Sequence, residues 1–451
     1  MLKVIGKIVF AGVIFAGCCR SAAAMLDNAA EFYLSNGLQV VVIPNHKAPI
    51  IKHVVLYKAG RIDEPRGKGG IAHFLEHLMF RGTHKFADGR FNELIEKNGG
   101  ISNAGTSLDF TYYHQFLSLD RLELAMYLEA DRMTGLKISD KVFEKEKNVV
   151  FQERRQRLSA DTTRLFWEKY ARLFWENSPH GEPISGTDEE IKNISKQDVL
   201  DFYHQYYAPN NAVLILSGDI DVETAKELAQ KYYGKIKTRA LEKSLNEKPL
   251  SFSEISEQGY ELKGHRQDVE NSRLVGSYHL PPFDSNSPLL YAMIVLENYL
   301  SGSVTSPIYQ KMILNKHLAV SAGTSFDFLS RGGNTFLLYA YFQKPAVADK
   351  IKRIFLETLN ETPKILTSQK LEKVKHRLLA GVVYQNDNPE DAAEIAVRWL
   401  GAGYNLSDIR QFEENIKAVR LEDVVKSVEI LQKQTPLWGA VIPQTEGKNE
   451  L

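Results

Sequence analysis

Two histidines and a glutamate form the pattern HFLEH at residues 73–77. On a helix, His73 and His77 lie one turn apart, so both imidazoles project from one face and can reach one metal ion. Glu76 lies on the same stripe and can reach a water molecule beside that ion. A metal lowers the pKa of its water to about 7, and a neighbouring carboxylate can then take the proton. This HxxEH pattern predicts a hydrolytic metal centre; two core histidines satisfied by a carboxylate are the alternative.

A catalytic zinc usually has three protein ligands and one open position, so this pattern needs a partner elsewhere in the chain. The segment FEKEKNVVFQERRQ, residues 143–156, carries Glu146 and Glu153 two helical turns apart. Both carboxylates then point from one face, which passes through Val149 and Val150 and should be partly buried. Taken alone, the residues leave a second interpretation open, in which the two glutamates form an ordinary solvated stripe.

Composition places the chain among ordinary globular proteins. It has 451 residues, of which 43% are hydrophobic and 25% charged, which is enough apolar material for two sizeable cores. Its formal net charge is zero. Nothing in this balance indicates a nucleic-acid partner or an anionic membrane surface.

Residues 1–24 differ from the rest of the chain. Lys3 and Lys7 precede an apolar run that ends in small residues at Ala24. This order is typical of a secretory signal peptide, and the apolar run is shorter than the roughly 20 residues that a spanning helix needs. We therefore expect a periplasmic or secreted protein without a transmembrane span in the mature chain.

Both cysteines of the chain, Cys18 and Cys19, lie inside this leader. Cleavage after Ala24 would leave a mature chain without cysteine, which suits an oxidising compartment and excludes a thiolate metal site. The stretch FAGC that ends at Cys18 loosely resembles a lipobox. A lipoprotein anchored at Cys18 is therefore the minority alternative.

The sequence repeats itself weakly. AGTSLDF at 104–110 and AGTSFDF at 322–328 agree at six of seven positions, and elements of similar kind surround them. An internal duplication is the better interpretation of this agreement, and chance similarity of two short strands is the alternative. We expect an N-terminal domain at 28–237, a polar linker at 238–259 and a C-terminal domain at 260–449.

Hydrophobic periodicity and the mixture of strand pairs with long helices predict an α+β fold. The predicted strands of the first half lie at 32–43, 50–60 and 101–119, and its helices at 71–80, 87–98, 120–134 and 140–176. The second half should contain a strand at 273–283 and an apolar helix at 288–300. His180 lies in a Pro/Gly-containing loop and is expected at the surface rather than as a ligand.

Four ordered stretches give the chain a family resemblance: GGIAHFLEHLMFRGT, NGGISNAGTSLDFTYYH, FEKEKNVVFQERRQ and HGEPISGTDEEIKNISKQDVLDFYHQYYAPNNAVLILSGD. They resemble the pitrilysin and mitochondrial-processing-peptidase family of zinc peptidases. The resemblance implies one Zn²⁺ per chain, held by His73, His77 and Glu153, with Glu76 as general base. It implies a supporting role for Glu146 beside the ligands.

The same resemblance implies two duplicated α/β layers that form a clamshell around the substrate. Asn103 and Ala104 would then bind a peptide that adds as an extra strand to an open sheet edge. A turn residue is the plainer interpretation of Asn103. The resemblance also implies a second half without a metal, and the positions that correspond to the HxxEH residues are Tyr291, Ile294 and Val295.

In the family, the second half instead contributes an arginine and a tyrosine that hold the substrate carbonyl. Lys316 and Val320 occupy those positions here, and valine cannot donate a hydrogen bond. We therefore expect a zinc endopeptidase for peptides or unfolded polypeptides whose sister subunit, in a heterodimer, supplies the Arg/Tyr pair. A homodimer or monomer in which Lys316 suffices is one alternative. The other is a non-catalytic assembly or chaperone-like subunit.

Overall fold

The computed structural model describes residues 26–176, 178–240, 261–266, 270–385 and 388–443. The predicted signal peptide, residues 1–24, lies outside the described residues. So does the predicted linker from residue 241 onward.

The first half of the chain is built on a six-stranded sheet. Its strands are β1 (Ala30–Tyr33), β2 (Gln39–Pro44), β3 (Ile50–Tyr57), β4 (Ile101–Thr106), β5 (Thr111–Ser118) and β6 (Ala212–Gly218). They lie side by side in the order β1-β2-β6-β3-β5-β4, and only β2 and β6 run parallel. The strand β4 therefore forms one edge of the sheet.

The second half repeats this topology with five strands. They are β7 (Glu261–Arg266), β8 (Ser272–Leu280), β9 (Ser321–Asp327), β10 (Asn334–Phe342) and β11 (Leu437–Pro443). Their order is β7-β11-β8-β10-β9, with one parallel pair, β7 and β11, in the place of β2 and β6. The predicted α+β class with two duplicated clamshell layers is confirmed.

A cross-strand pair of glycine and tyrosine recurs in both sheets. Gly105 lies opposite Tyr112, and Gly323 lies opposite Tyr339. A Cβ atom on either glycine would come within 2.8 Å or 2.7 Å of the tyrosine side chain. In both sheets the tyrosine ring occupies the space that a side chain at the glycine position would need. The glycine of the repeated AGTS motif therefore has the same packing role in each half.

Helices cover these sheets in the same sequence in each half. Those of the first half are α1 (Ile71–Leu78), α2 (Arg90–Lys97), α3 (Leu122–Gly135), α4 (Asp140–Ala160), α5 (Arg164–Phe174), α6 (Asp188–Asn193), α7 (Lys196–Tyr206) and α8 (Val222–Tyr232). Those of the second half are α9 (Pro288–Ser301), α10 (Pro307–Tyr309, continued by a π-helical turn at Gln310–Asn315), α11 (Ala348–Ile365), α12 (Ser368–Gln385), α13 (Pro389–Gly401), α14 (Leu406–Ala418) and α15 (Leu421–Gln432).

The two halves exchange one helix each. Helix α13 of the second half packs on β3 and β6 of the first sheet, and α5 of the first half packs on β11 of the second. The hydroxyl of Tyr170 on α5 donates a hydrogen bond to the Leu437 carbonyl at 2.7 Å. One continuous apolar core joins side chains of both halves, among them Val54, Ile215 and Trp399. This exchange fixes the second half against the first sheet.

Three element predictions were wrong. The predicted strand 32–43 is two antiparallel strands, β1 and β2, because the chain turns back at Gly37, whose φ is 80°. Local side-chain hydrogen bonds explain the other two. The segment 101–119 is a hairpin of β4 and β5, because the Ser107 hydroxyl accepts from the Phe110 N–H and donates to the Phe110 carbonyl. The predicted helix 140–176 ends at Ala160. Asp161 is extended there, and its carboxylate accepts hydrogen bonds from the N–H and hydroxyl of Thr163.

Candidate metal centre

Helix α1 carries the HxxEH residues at the junction between sheet and helices. Its apolar side chains, such as Phe74, Leu75 and Leu78, are fully buried, so the helix cannot rotate without exposing them. Gly70 precedes the helix with a φ of 95°, and a Cβ there would lie 2.5 Å from the Ser185 carbonyl oxygen. Only glycine fits this entry turn.

A buried carboxylate holds the N-terminus of α1. Glu64 accepts hydrogen bonds from the N–H groups of Gly70, at 2.8 Å, and Ala72, at 2.7 Å, and its carboxylate lies 3.0 Å from the Arg61 guanidinium. Burial raises the pKa of Glu64 to about 8, against the opposing effect of Arg61 and the two N–H groups. The first turn of α1 is therefore fixed by a side chain outside the helix.

Three donor side chains meet beside α1. One donor atom each of His73, His77 and Glu153 lies within 4.8 Å of the others. Oε2 of Glu153, on α4, is 3.3 Å from His77 Nε2 and 3.8 Å from His73 Nε2. Ligand atoms at the corners of a zinc tetrahedron with bonds of about 2.0–2.1 Å lie about 3.3 Å apart. The donor set and its spacing fit such an ion.

The electrostatics of this cluster also favour a cation. Among the described residues, Oε2 of Glu153 is buried and forms no hydrogen bond. The contact with His77 lowers the pKa of Glu153 to about 2. Burial acts to lower the pKa of His77, but its contacts with Glu146 and Glu153 outweigh it and raise that pKa to about 9. Burial and the neighbouring His77 lower the pKa of His73 to about 4. Glu153 is therefore ionised and His73 is neutral near pH 7, the forms in which a carboxylate and an imidazole bind a metal ion.

Glu146, two turns before Glu153, orients one of the histidines. Its Oε1 lies 2.9 Å from His77 Nδ1, which leaves Nε2 of the same ring directed at Glu153. Nε of Arg81 contacts the other Glu146 oxygen at 2.6 Å. Burial acts to raise the pKa of Glu146, but His77 and Arg81 outweigh it, and the net shift is downward. A carboxylate beneath a ligand histidine fixes both its tautomer and its orientation.

A residue of the first sheet holds the Glu76 carboxylate. The hydroxyl of Thr106, the last residue of β4, donates a hydrogen bond of 2.5 Å to Glu76 Oε2. Burial raises the pKa of Glu76, with Thr106 and His77 opposing. An upward shift brings the pKa of a carboxylate closer to neutral pH, which favours proton exchange by a general base.

The strand that carries Thr106 is open on one side. Among the described strands, β4 pairs only with β5, and Asn103 is exposed while Ala104 is half-buried. Oδ1 of Asn103 accepts a hydrogen bond from the Ala104 N–H at 2.9 Å. The Ala104 N–H therefore becomes available to an incoming strand when the Asn103 side chain moves away.

Other predicted positions lie apart from this cluster. Lys316 and Val320 are exposed, and the Val320 N–H bonds the Tyr341 carbonyl oxygen. The expectation for His180 was wrong: its side chain is buried against Gly332 of the second half. The loop that carries His180 is covered by the loop between β9 and β10, which contains Gly332.

Sequence reasoning missed three residues that support the centre: Glu64, Arg81 and Thr106. Thr106 belongs to the repeated AGTS motif, so the repeat was a usable signal. Glu64 and Arg81 carried no local signal for this role, because the groups that they hold at the centre, the N–H groups of α1 and the Glu146 carboxylate, lie 6 to 65 positions away in the chain.

Matches to family models cover most of the chain. Residues 39–188 match the insulinase family of M16 peptidases, and residues 193–378 match the M16 inactive domain. Among the described residues, no helix is long and apolar enough to span a bilayer.

Relatives and solved structures agree with these matches. Zinc protease PqqE of Helicobacter pylori is 27% identical over 417 residues, 91% of either chain. The mitochondrial-processing peptidase subunit beta of Dictyostelium discoideum is 24% identical, over 91% of this chain and 88% of its own. The crystal structure of a protease from Helicobacter pylori has a TM-score of 0.81 and 26% identity, over 92% of this chain and 99% of the other.

A further neighbour of 17% identity shares the fold. The periplasmic protease PqqL from Escherichia coli has a TM-score of 0.74, over 92% of this chain but only 47% of its own length. From the family models, the full-length relatives and the shared fold, this chain belongs to the M16, or pitrilysin, family of peptidases.

Proposed function

We propose that the protein is a zinc-dependent endopeptidase that hydrolyses peptides or unfolded polypeptides. His73, His77 and Glu153 would hold the ion, and Glu146 would orient His77. The observation that carries the proposal is the convergence of three donor atoms within 4.8 Å beside Glu76. Two relatives that are named zinc proteases, matched over 91% and 82% of their own lengths, support the same chemistry.

In this mechanism, the bound zinc would polarise the scissile carbonyl and lower the pKa of a water molecule. Glu76 takes a proton from the attacking water and later delivers it to the leaving amine, so that the peptide bond breaks as a carboxylate and an amine form. The Thr106 hydroxyl keeps one Glu76 oxygen fixed while the other oxygen exchanges the proton.

The substrate would lie along the open edge of β4. An extended peptide can pair with the free side of the strand at Asn103 and Ala104, antiparallel or parallel, and its backbone then runs toward Thr106 and Glu76. Recognition through the main chain favours segments that are extended or unfolded. The peptide would displace Asn103 from the Ala104 N–H.

A sister subunit would complete the site. Val320 cannot donate a hydrogen bond to an oxyanion, and loss of one such donor costs on the order of 100- to 1000-fold in rate. The chain matches about half the length of PqqL from Escherichia coli, as expected for one member of a two-part enclosure. We propose a heterodimer with a related chain that carries Arg-x-x-x-Tyr.

The leader predicts export, and the periplasmic description of PqqL is in keeping with it. We propose a periplasmic or secreted mature protein. The mass of the mature N-terminus, beginning near Met25 for signal cleavage or at a lipidated Cys18, decides between the soluble and anchored forms.

The test compares Glu76→Gln with wild type and with Glu227→Gln, an exposed glutamate on α8. We expect all three to bind one zinc and only Glu76→Gln to lose peptide cleavage, by at least about 100-fold, because it lacks the general base. Each is assayed alone and with a related Arg-x-x-x-Tyr chain. If the wild type binds zinc but cleaves no peptide, either alone or with the related chain, the non-catalytic assembly subunit is favoured; the exposed Val320 is the observation that supports that alternative. A wild type that binds no zinc at micromolar concentrations contradicts the proposal.

A further inference from the structure

One arginine of the second half contacts two segments of the first half that support the candidate metal centre. Arg331 lies in the loop between β9 and β10, and its guanidinium forms two hydrogen bonds with the Asp63 carboxylate, at 2.6 Å and 3.4 Å. The same guanidinium donates to the Asp109 carbonyl at 2.5 Å, and the Arg331 N–H donates to the Asp109 carboxylate at 3.2 Å. One side chain thus joins two separate segments of the first half.

The first of these segments leads into α1. Asp63 accepts a hydrogen bond from the Gly60 N–H, and its own carbonyl accepts one from the Tyr206 hydroxyl. The next residue, Glu64, holds the N–H groups at the start of α1. A shift of Asp63 would therefore move the carboxylate that fixes the first turn of the helix bearing Glu76.

The second segment is the turn after β4. Asp109 lies in the turn that joins β4 to β5, three residues after Thr106, whose hydroxyl holds Glu76. Arg331 therefore links two supports of Glu76. One is the start of α1, the helix that carries Glu76, and the other is the end of β4, where the Thr106 hydroxyl bonds the Glu76 carboxylate. The two segments are 46 positions apart in the chain.

Burial makes this link stiff. The side chains of Asp63 and Asp109 are 2% and 5% exposed. Gly332, the next residue, lies directly against the buried His180 ring, and a Cβ on it would overlap that ring at 1.9 Å. A loop confined in this way cannot move without displacing its neighbours.

We propose that Arg331 is a positioning residue for the M16 reaction, supplied by the metal-free half, which sets the spacing between α1 and the tip of β4. The proposal rests on the proposed peptidase function for its kinetic consequence but not for its structural one. The second half then takes part in alignment of the general base although it contributes no ligand. Misplacement of a catalytic group by about 1 Å can cost on the order of 100-fold in rate.

A second ion pair between the halves provides the matched control. Lys52 on β3 lies 3.1 Å from Glu390 on α13, near the end of β3 that is remote from α1. Glu390→Gln also removes a charge contact between the halves, but it touches neither segment that holds Glu76. An effect shared by both variants would reflect contact between the halves in general.

The experiment compares Arg331→Lys, Arg331→Met and Glu390→Gln in the full zinc-loaded chain with its partner chain present. We expect Arg331→Met to lower kcat by about 10- to 100-fold with KM within about threefold, because β4 stays paired with β5. Arg331→Lys retains the charge but cannot reach all the acceptors, so it should recover part of kcat. Glu390→Gln should leave both constants within about twofold.

Amide hydrogen exchange provides the readout that does not depend on activity. Both Arg331 variants should exchange faster than wild type in peptides covering 61–72 and 104–110, and Glu390→Gln should not. Should Arg331→Met fail to fold, Arg331→Lys decides. If the Arg331 variants match Glu390→Gln in exchange, the proposal is wrong even where the wild type is an active peptidase. If the exchange changes locally while the wild type cleaves nothing, the alignment stands and the peptidase proposal fails.

Discussion

The two halves of this molecule share a topology but not a chemistry. In the first half, α1 presents His73, Glu76 and His77; the positions that correspond in α9 are Tyr291, Ile294 and Val295, all buried. The strand order around both helices is the same. The fold therefore does not need the metal donors, because apolar side chains fill the same place in the second half.

What the first half adds is a set of supports around the donors. Polar groups this close to a core are unfavourable unless they are paired. Glu146 pairs with His77 and Arg81, Thr106 bonds Glu76, and Glu64 holds the start of α1. Helix α9 begins instead at Ser287 and Pro288 and is apolar along most of its length.

The halves are also unequal in what each gives the other. They exchange α5 and α13 in similar fashion, yet Arg331 of the second half also contacts two segments that support the candidate metal centre of the first half. On our proposal for Arg331, a half without metal donors of its own still positions the site of the other half. Substitutions at equivalent positions of the two halves should therefore distinguish residues needed for metal binding and cleavage from residues needed for stability.

The largest expected effect comes from one equivalent pair, His77→Ala and Val295→Ala. His77→Ala removes a proposed ligand, so bound zinc and peptide cleavage should both fall to background. Val295→Ala deletes buried methyl groups, and we expect a loss of about 2 kcal/mol in the free energy of unfolding with zinc binding intact. Metal analysis and chemical denaturation measure the two outcomes. If His77→Ala retained zinc at full affinity, His77 would not be a ligand, and the proposed chemical difference between the two halves would be wrong.

A smaller effect concerns a half-buried carboxyl on α9. Burial raises the pKa of Glu297 to about 7, with Arg377 opposing. The folded state then binds a proton more tightly than the unfolded state, so the stability from this group is present below about pH 4.5 and is lost as pH rises through about 7. Glu297→Gln should flatten this decline by on the order of 1 kcal/mol after allowance for solvent screening.

Denaturation between pH 4.5 and 8 checks this, with exposed Glu357→Gln on α11 as control. An unchanged pH dependence in Glu297→Gln would show that the carboxyl is already ionised in the fold. Met79, the residue directly after α1, corresponds to Glu297 and is buried, so no matching pH dependence is expected from the first half at that position.

The sequence predicted the local parts of this account and missed the distant ones. HFLEH on a helix follows from residue spacing alone, because its members are neighbours in the chain. Glu153 stayed ambiguous until the family resemblance, since spacing with Glu146 fits a solvated stripe equally well. Arg331 and Glu64 were missed because their importance comes from contacts made only when distant segments meet. The hairpin at 101–119 was missed because one serine hydroxyl decides the turn.

The central claim is that three side chains of the first half bind one metal ion. Anomalous diffraction at the zinc absorption edge, from crystals of the zinc-loaded protein, tests it most directly. We expect a single strong peak per chain, within about 2.0–2.2 Å of His73, His77 and Glu153, and none beside α9. A peak elsewhere, or a Glu153 side chain turned away from an ion on the two imidazoles, would contradict the account.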